Sequence, residues 1–381
     1  MKLVIHDLKK EEWEKIARDY PDAEVVTDNG NMKPCVGCFG CWNKTPGECV
    51  IKDGYDNMGY LIHHSDEVIV ISRYTYGGFS GSVKNVFDRC LAYVLPQFEI
   101  VKGESHHQKR YDEIKPFTFI FYGHDISEEE KKNAERYVNA VCTNMRSTVK
   151  EVIFRECETE TVCKTKDNYS KNDKVLLLNA SMRSKNGNSA KLAGELKKLI
   201  VKEAEIVNLS KYLNKMSELV KELEDVSTIV LCEPLYVDGL PSLLIRLLEK
   251  FQNEYEGGRK KIYVLANMGL YESRQLINLF SSVKQWCAKM NFEYCGGLGV
   301  GAGELVGGIT EAVKFGKWPT RKIGEGMNRL AEAINTDGKT EDIFAGVNGF
   351  PRSLYIAIAN SGWKRMAKKN GITEKDLYRQ V

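Results

Sequence analysis

Short apolar runs alternate with longer helix-like segments along this chain, and the whole pattern occurs twice. Apolar runs of this length between helical segments are typical of strands in a parallel sheet that is covered on both faces. Each half contains five such runs, so we predict an α/β fold of two doubly wound parallel five-stranded sheets in tandem. The predicted strands are 3–5, 23–27, 68–72, 117–122 and 149–154 in the first half, and 175–178, 204–207, 228–232, 262–266 and 292–300 in the second.

The two halves also share a stretch of sequence. Residues 73–89 align without a gap to residues 234–250, so that Gly78 matches Gly239. The distance between the two stretches is far longer than the 20–50 residues of a solenoid repeat, and it therefore indicates the duplication of a whole domain. Five strands in each half are typical of a flavodoxin-like sheet, which is the fold class that we expect.

The length of 381 residues exceeds that of one typical domain. We predict a first domain over 1–157, a polar linker over 158–173, a second domain over 174–310, and a helical C-terminal extension over 311–381 that packs on the second domain. Helices are predicted between the strands, over 9–20, 80–95, 127–146, 188–202, 212–225, 241–254 and 272–290.

Composition limits the class of partner. Hydrophobic residues make up 43% of the chain, charged residues 28%, and the formal net charge is +3. This small charge gives no reason to expect nucleic acid or a membrane surface as a partner. No run reaches the roughly 20 apolar residues of a membrane span, and the start meets Asp7 without an apolar signal segment. Eleven cysteines are spread over the chain, which favours a cytoplasmic protein with one functional cysteine cluster.

A polar loop follows the first strand of the second half. It runs from Asn179 to Ser189 and leads into a predicted helix. Such a loop forms an anion site in α/β proteins, because its N–H groups and the positive helix end point at one place. The guanidinium of Arg183 adds a positive charge suited to binding phosphate. The alternative is a capped helix with a solvated loop, since Asn188 and Ser189 are good capping residues in any protein. The candidate binding residues are Ser181, Arg183, Asn186, Asn188 and Ser189.

Two more loops of the second half follow predicted strands. Ligands of open α/β sheets lie beyond the carboxyl ends of the strands, so these loops belong at the same edge as the polar loop. Three such loops can together hold a phosphate and enclose a flat ring. Their candidate residues are Pro234, Leu235, Tyr236 and Val237 after one strand, and Asn267, Met268, Gly269, Tyr271 and Glu272 after the next.

In these three loops the second half resembles the NADPH-dependent FMN reductase branch of the flavodoxin-like superfamily. The polar loop resembles the family's Ser-x-Arg-x-x-Asn-x-Asn-Ser/Thr phosphate loop, with Met182 in place of the usual proline. The turn 234–239 resembles the loop beside the flavin ring, and 267–272 resembles the third loop. The resemblance implies bound FMN, with Tyr236 and Tyr271 bordering its ring.

The resemblance further implies an FMN-dependent NAD(P)H oxidoreductase, with NAD(P)H as the co-substrate. The electrons would pass to a small-molecule acceptor, a redox protein or a cysteine or iron–sulfur site. No catalytic side chain is expected, because the flavin carries the chemistry. The alternative is a non-enzymatic electron-transfer protein of the flavodoxin or iron–sulfur type, served by a protein partner. The sequence also leaves a homodimer open.

The first half departs from this pattern. Its first strand runs directly into Asp7, and Glu11 and Glu12 stand near the start of the next helix. Carboxylates at a helix N-terminus would repel a phosphate that the same position otherwise attracts. Arg73 stands where the family has a proline before the ring loop. We therefore expect a degenerate FMN site in the first domain.

A cysteine motif sets the first half apart. Cys35, Cys38, Cys41 and Cys49 have the spacing Cys-x2-Cys-x2-Cys-x7-Cys. Steps of Cys-x2-Cys resemble the run that holds a cubane cluster, whereas structural zinc sites more often use two separated pairs. The loop is also similar to the compact motif of the iron–sulfur flavoproteins, which implies a [4Fe–4S] cluster on these four residues. A thiol/disulfide role and an inert packed loop are the alternatives, with zinc after them.

Overall fold

The computed structural model describes residues 1–157, 164–169, 172–309 and 313–381. The chain divides into two compact units, Met1–Glu160 with Ile356–Val381, and Thr161–Tyr355. Each unit contains a parallel β-sheet, so the predicted α/β class is confirmed. Much of the predicted linker, at 158–163 and 170–171, lies outside the described residues.

The first unit contains a five-stranded parallel sheet and a separate antiparallel hairpin. The strand order in the sheet is β2-β1-β3-β6-β7, while β4 and β5 form the hairpin. The order is that of a flavodoxin-like sheet. The strands are β1 Lys2–His6, β2 Glu24–Val26, β3 Glu67–Arg73, β4 Val94–Val101, β5 Glu104–Lys109, β6 Pro116–Gly123 and β7 Thr148–Glu156; the helices are α1 Lys10–Ile16, α2 Gly40–Asn43, α3 Met58–His64, α4 Gly81–Asp88 and α5 Glu128–Asn144.

Local chemistry explains the position of these elements. Val4, Ile69 and Ile120 from three neighbouring strands are buried together on the sheet. The hydroxyl of Ser80 caps α4 by accepting a hydrogen bond from the N–H of Val83. A capping box with Ser127 starts α5 in the same way. Buried apolar strands and capped helices therefore produce the alternation that the sequence predicts.

The second unit contains a six-stranded parallel sheet in the order β10-β9-β11-β13-β14-β15. A short parallel pair, β8 and β12, stands apart from it. The strands are β8 Lys166–Tyr169, β9 Val175–Asn179, β10 Ala204–Asn208, β11 Thr228–Pro234, β12 Gly258–Arg259, β13 Lys261–Asn267, β14 Glu293–Val300 and β15 Asp342–Ala345; the helices are α6 Asn188–Lys197, α7 Met216–Glu224, α8 Ser242–Glu254, α9 Ile277–Lys289, α10 Gly303–Ile309, α11 Arg321–Asn335 and α12 Arg352–Lys369.

The structure corrects three expectations. The second sheet has six strands rather than five, because β15 pairs in parallel with β14. The helix predicted over 80–95 ends at Asp88, and the chain then turns and enters the hairpin at Val94. The C-terminal extension does not pack on the second domain as a whole, because residues 356–381 belong to the first unit.

The aligned stretches of the two halves form the same turn. Thr75 and Gly78 exchange two backbone hydrogen bonds of 3.0 Å, and Tyr236 and Gly239 exchange bonds of 3.1 and 3.0 Å. In each turn both central residues have positive φ, which defines a type I′ turn. No helix within the described ranges is long and apolar enough to cross a membrane.

Candidate functional site

The polar loop after β9 is held in place by Asn179, the last residue of the strand. The amide of Asn179 donates to Asn208 Oδ1 at 2.7 Å and to the carbonyl of Ser184, while its Oδ1 accepts from the N–H of Ser181. A Cβ on Gly187 would lie 2.6 Å from Ser181 Oγ. A side chain at position 187 would therefore displace this hydroxyl from its place beside the first turn of α6.

The loop places hydroxyl, guanidinium and backbone N–H groups at the start of helix α6. The Ser181 and Ser189 side chains are buried, while Arg183 and Asn186 are exposed. The first turn of α6 directs N–H groups without intrahelical partners toward the same place, at the positive end of the helix dipole. Asn188 packs against α10, since a Cβ on Gly307 would lie 1.9 Å from its Oδ1.

The three predicted loops meet at the carboxyl edge of the second sheet, and Asn267 joins them. Its Oδ1 accepts a hydrogen bond of 2.6 Å from Ser189 Oγ in the first loop. Its backbone carbonyl accepts one of 2.8 Å from the N–H of Leu235 in the second loop. The parallel register places Pro234 opposite Asn267, so the two strands end side by side. The sequence prediction of one shared edge is therefore correct for these loops.

The second loop has an unusual backbone. Val237 and Asp238 have φ values of 39° and 60°. A left-handed conformation is unfavourable for a β-branched residue such as Val237, and such strain is found preferentially at functional sites. Pro234, Leu235, Tyr236 and Val237 are all half-buried, whereas Asp238 is buried. This loop thus presents four partly exposed side chains and strained peptide groups at the carboxyl end of β11.

The third loop is covered by chain from the predicted C-terminal extension. The Tyr271 hydroxyl donates to the carbonyl of Phe350 at 2.7 Å, and Tyr355 donates to the carbonyl of Gly269. Glu272 forms an ion pair of 2.9 Å with Arg352. Met268 is buried. Three of the predicted loop residues are thus held by residues 350–355.

Two acidic residues of this region were not predicted. Glu304 Oε1 lies 3.7 Å from Arg183 Nη1, so α10 brings a carboxylate to the polar loop. Glu233 is completely buried, and neither carboxylate oxygen has a hydrogen-bond partner among the described residues. Burial raises the pKa of Glu233 to about 8. The sequence signal that could have identified Glu233 is its position directly before Pro234, at the start of the predicted ring loop.

The first unit explains why Glu233 lacks a partner. Ser72 aligns with Glu233, and its hydroxyl accepts a hydrogen bond of 3.0 Å from the backbone N–H of Ser80. The residue that aligns with Ser80 in the second half is Pro241, which has no N–H to donate. The carboxyl group at this position has therefore lost the donor that the turn supplies in the other half.

The equivalent edge of the first unit is occupied by its own side chains. Asp7 follows β1, is half-buried, and accepts hydrogen bonds from the N–H of Arg73 at 3.1 Å and from Tyr122 at 2.8 Å. Burial raises the pKa of Asp7, while bonds from the Ser80 and Tyr122 hydroxyls lower it. The Asp7 carboxylate therefore accepts the hydrogen bonds available at this edge of the first sheet. At the corresponding position the second unit has Ala180, followed by a loop that contains three serines.

The four motif cysteines lie close to one another in the first unit. Burial raises the pKa of the Cys41 thiol well above its usual value, and Cys35, Cys49 and Cys38 each raise it further. Burial likewise raises the pKa of Cys35 to about 12. The thiol of Cys49 interacts with the Arg89 guanidinium. The four thiols are therefore neighbours within one loop, residues 35–49, which we call the cysteine loop.

The cysteine loop has its own fixed geometry. Phe39 adopts a left-handed conformation with φ of 58°, and a Cβ on Gly40 would lie 2.5 Å from a methyl group of Val50. Within the described ranges no cysteine forms a disulfide. In that same part of the chain, no three His, Cys, Asp or Glu side chains are gathered tightly enough to hold a single metal ion.

Comparisons with known proteins give partial similarities to solved structures. No protein-family model and no curated protein matches the chain. The Trp repressor binding protein from Bacillus subtilis is 15% identical, with a TM-score of 0.31, over 42% of this chain and 98% of that one. An FMN-dependent NADH-azoreductase from Bacillus anthracis is 16% identical, with a TM-score of 0.32, over 44% and 100%. An NAD(P)H:quinone oxidoreductase from Methanothermobacter marburgensis is 15% identical, with a TM-score of 0.32, over 44% of this chain and 97% of that one. At these identities and TM-scores the similarities carry no conclusion about activity.

Proposed function

We propose that this chain is an NAD(P)H-dependent flavin oxidoreductase whose second unit binds FMN. Two flavodoxin-like, doubly wound halves in tandem are part of the proposal. The observation that carries it is the meeting of three loops at Asn267, which brings two buried serine hydroxyls, a helix N-terminus and a strained turn to one edge of a parallel sheet. Cofactors of open α/β sheets bind at this edge.

The donors at this edge fit a phosphate monoester. Ser181 supplies a hydroxyl group, and the first N–H groups of α6 supply backbone donors. Ser189 lies in the same turn, and its hydroxyl, which donates to Asn267, holds the loop in position. Arg183 supplies a positive charge that forms strong charge-assisted hydrogen bonds with phosphate oxygens. Gly187 keeps the cradle open, because a side chain there would collide with Ser181. Asn186 and Asn188 complete the proposed phosphate loop.

The other two loops would border the flat ring of FMN. The residues of these two loops that we propose to contact the ring are Pro234, Leu235, Tyr236, Val237, Asn267, Met268, Gly269, Tyr271 and Glu272. Bound FMN would supply hydride and electron transfer, and the chain would supply binding and orientation. The hydrogen bonds of Tyr271 and of the Gly269 carbonyl to residues 350–355 hold the third loop in a fixed position. A fixed loop lowers the ordering cost of binding a rigid ring.

The first unit is proposed to carry a second redox group rather than a second FMN. Its sheet edge is occupied by Asp7, and its cysteine loop provides four neighbouring thiols. Four cysteine thiolates are the ligand set of a [4Fe–4S] cluster. Electrons from the flavin would then pass to this site, to a small acceptor or to a redox protein.

One experiment separates the oxidoreductase from a simple electron carrier. The full chain is purified without oxygen, its absorption spectrum is recorded, and NADH and NADPH are added in turn. Bleaching of a bound flavin by one equivalent of either nucleotide supports the oxidoreductase. A flavin that dithionite reduces reversibly while neither nucleotide does so would favour the carrier. A chain that takes up no FMN at micromolar concentration would refute the proposal.

A further inference from the structure

The cysteine loop has little structure of its own. Its only helix within the described chain is α2, which has four residues. Even so, Cys41 and Cys49 are only 9% and 8% exposed, whereas Cys38 is exposed. A loop this short cannot bury two thiols by itself, so part of their cover comes from elsewhere in the chain.

The chain that covers it is residues 356–381, which we call the C-terminal segment. Trp363 packs edge-on against Phe39 and Trp42, with ring centroids 5.3 and 5.1 Å away. These two rings flank Cys41 in the sequence and stack on each other at 5.4 Å. Trp363 itself is only 7% exposed. The aromatic contact therefore closes over the middle of the cysteine loop.

A second contact is polar and lies near the end of the segment. Arg110 donates to the carbonyl of Leu377 at 2.9 Å and to that of Arg379 at 2.7 Å. In return Gln380 donates to the carbonyl of Arg110 at 2.9 Å. The guanidinium is buried, and its recorded partners are backbone carbonyls rather than carboxylates. Arg110 therefore links the C-terminal segment to the carbonyls of Ala92 and Val94.

A third group of contacts involves Asn43 and Gly47 of the cysteine loop. A Cβ on Gly47 would come within 2.9 Å of a methyl group of Val381, and the Asn370 amide donates to Asn43 Oδ1 at 3.1 Å. Further up the segment, Asn360 exchanges two hydrogen bonds with the backbone of Phe98 in the hairpin. These contacts fall on the cysteine loop and the hairpin, which are separate from the five-stranded sheet.

From these contacts we propose that the C-terminal segment is a cover that controls access to the thiols of the cysteine loop. Held by the aromatic contact of Trp363 and by several polar contacts, the segment keeps reagents and metal ions from Cys41 and Cys49. Because it adds no strand to the sheet, it can detach while the core of the first unit stays folded. Local opening of this kind needs much less free energy than global unfolding. The proposal does not depend on FMN binding.

Alkylation of the full-length chain tests the cover. Iodoacetamide is added to the native protein, and the rate at each cysteine is followed by peptide mass spectrometry. Trp363→Ala removes the aromatic contact, and we expect at least a tenfold faster reaction at Cys41 and Cys49. Cys90 and Cys142 are buried elsewhere in the same unit and report on its folding. Met366→Ala is the matched control, because this residue lies on the same helix but is 38% exposed.

A shorter chain provides a second test. Ending the chain after Lys369 removes two of the acceptors of Arg110, the carbonyls of Leu377 and Arg379, and leaves Trp363 in place. We expect faster alkylation at Cys49, with Cys90 and Cys142 unchanged. Parent-like rates at both motif cysteines in Trp363→Ala and in the shortened chain would overturn the proposal. So would an equal rise at Cys90 and Cys142, because the segment would then stabilise the whole unit rather than cover one loop.

Discussion

Ser189 Oγ donates a hydrogen bond of 2.6 Å to Asn267 Oδ1 across 78 positions of the sequence. Ser189 stands in the first turn of α6, and Asn267 is the last residue of β13. Both side chains are buried. The bond therefore fixes the proposed phosphate loop relative to the proposed ring loops before any cofactor binds, which lowers the entropy cost of binding.

The first prediction concerns the charge at this loop. Arg183→Ala should weaken FMN binding by about 1.5–3 kcal/mol, or roughly 10- to 150-fold in Kd, because it removes a charge-assisted hydrogen bond to phosphate. Ser181→Ala in addition should weaken it further. Quenching of flavin fluorescence on titration into the full chain measures both constants. Arg321→Ala, an exposed arginine on α11, is the control and should bind like the parent. Equal affinity of the double variant and the parent would show that the phosphate lies elsewhere.

The second prediction is the number of flavins. The full chain should bind one FMN rather than two, because Asp7 occupies the edge of the first sheet with bonds from Tyr122 and the Arg73 N–H. Isothermal titration with FMN gives the stoichiometry. The whole chain is needed, because residues 356–381 complete the first unit and a fragment ending at 157 would lack them. Two equivalents per chain would mean that the first unit also binds flavin.

The third prediction concerns the four motif cysteines. If they hold one cluster, anaerobically reconstituted protein should contain about four iron and four sulfide per chain. Cys38→Ser should lower both contents together, since one missing thiolate disrupts the whole ligand set. Cys157→Ser is the control, because Cys157 stands outside the motif. Parent protein that remains folded with neither iron nor sulfide would favour the thiol/disulfide or packing alternatives.

The sequence predicted what depends on local pattern. All ten strands read from apolar runs are present, because a strand buried between helices needs an apolar side chain at nearly every position. The helix predicted over 80–95 was too long, because residues 90–95 remain apolar after α4 ends. Pro96 was the local signal for a different structure there. The sixth strand, β15, has four residues and is too short to stand out.

What the sequence could not predict depends on distant contacts. The candidate loops were found because the carboxyl ends of parallel strands share one edge, but nothing local shows that Ser189 bonds to Asn267. Trp363 reads as an ordinary apolar residue of an amphipathic helix, and its place against Phe39 follows only from the tertiary fold. Glu233 resembles a polar residue that ends a strand. Its complete burial follows only from the tertiary structure around the turn 236–239.

The last prediction concerns the pH dependence that Glu233 confers. Its pKa is raised from 4.5 to about 8 by burial, so the folded state holds a proton that the unfolded chain releases. The neutral carboxyl contributes stability that is fully present below pH 4.5 and is lost as the pH rises through 8. In this range the free energy of unfolding should fall by up to about 1.4 kcal/mol per pH unit on account of this group.

Glu233→Gln isolates this effect, because glutamine has nearly the same shape and does not titrate. Urea unfolding of parent and variant at pH 5, 6.5 and 8 should show the variant gaining stability relative to the parent at each step. Glu325→Gln, at a largely exposed position on α11, is the matched control for the same substitution outside the protein interior. A parent–variant difference that does not change with pH would mean that Glu233 is ionised in the folded protein, and therefore that a donor or cation reaches it in solution.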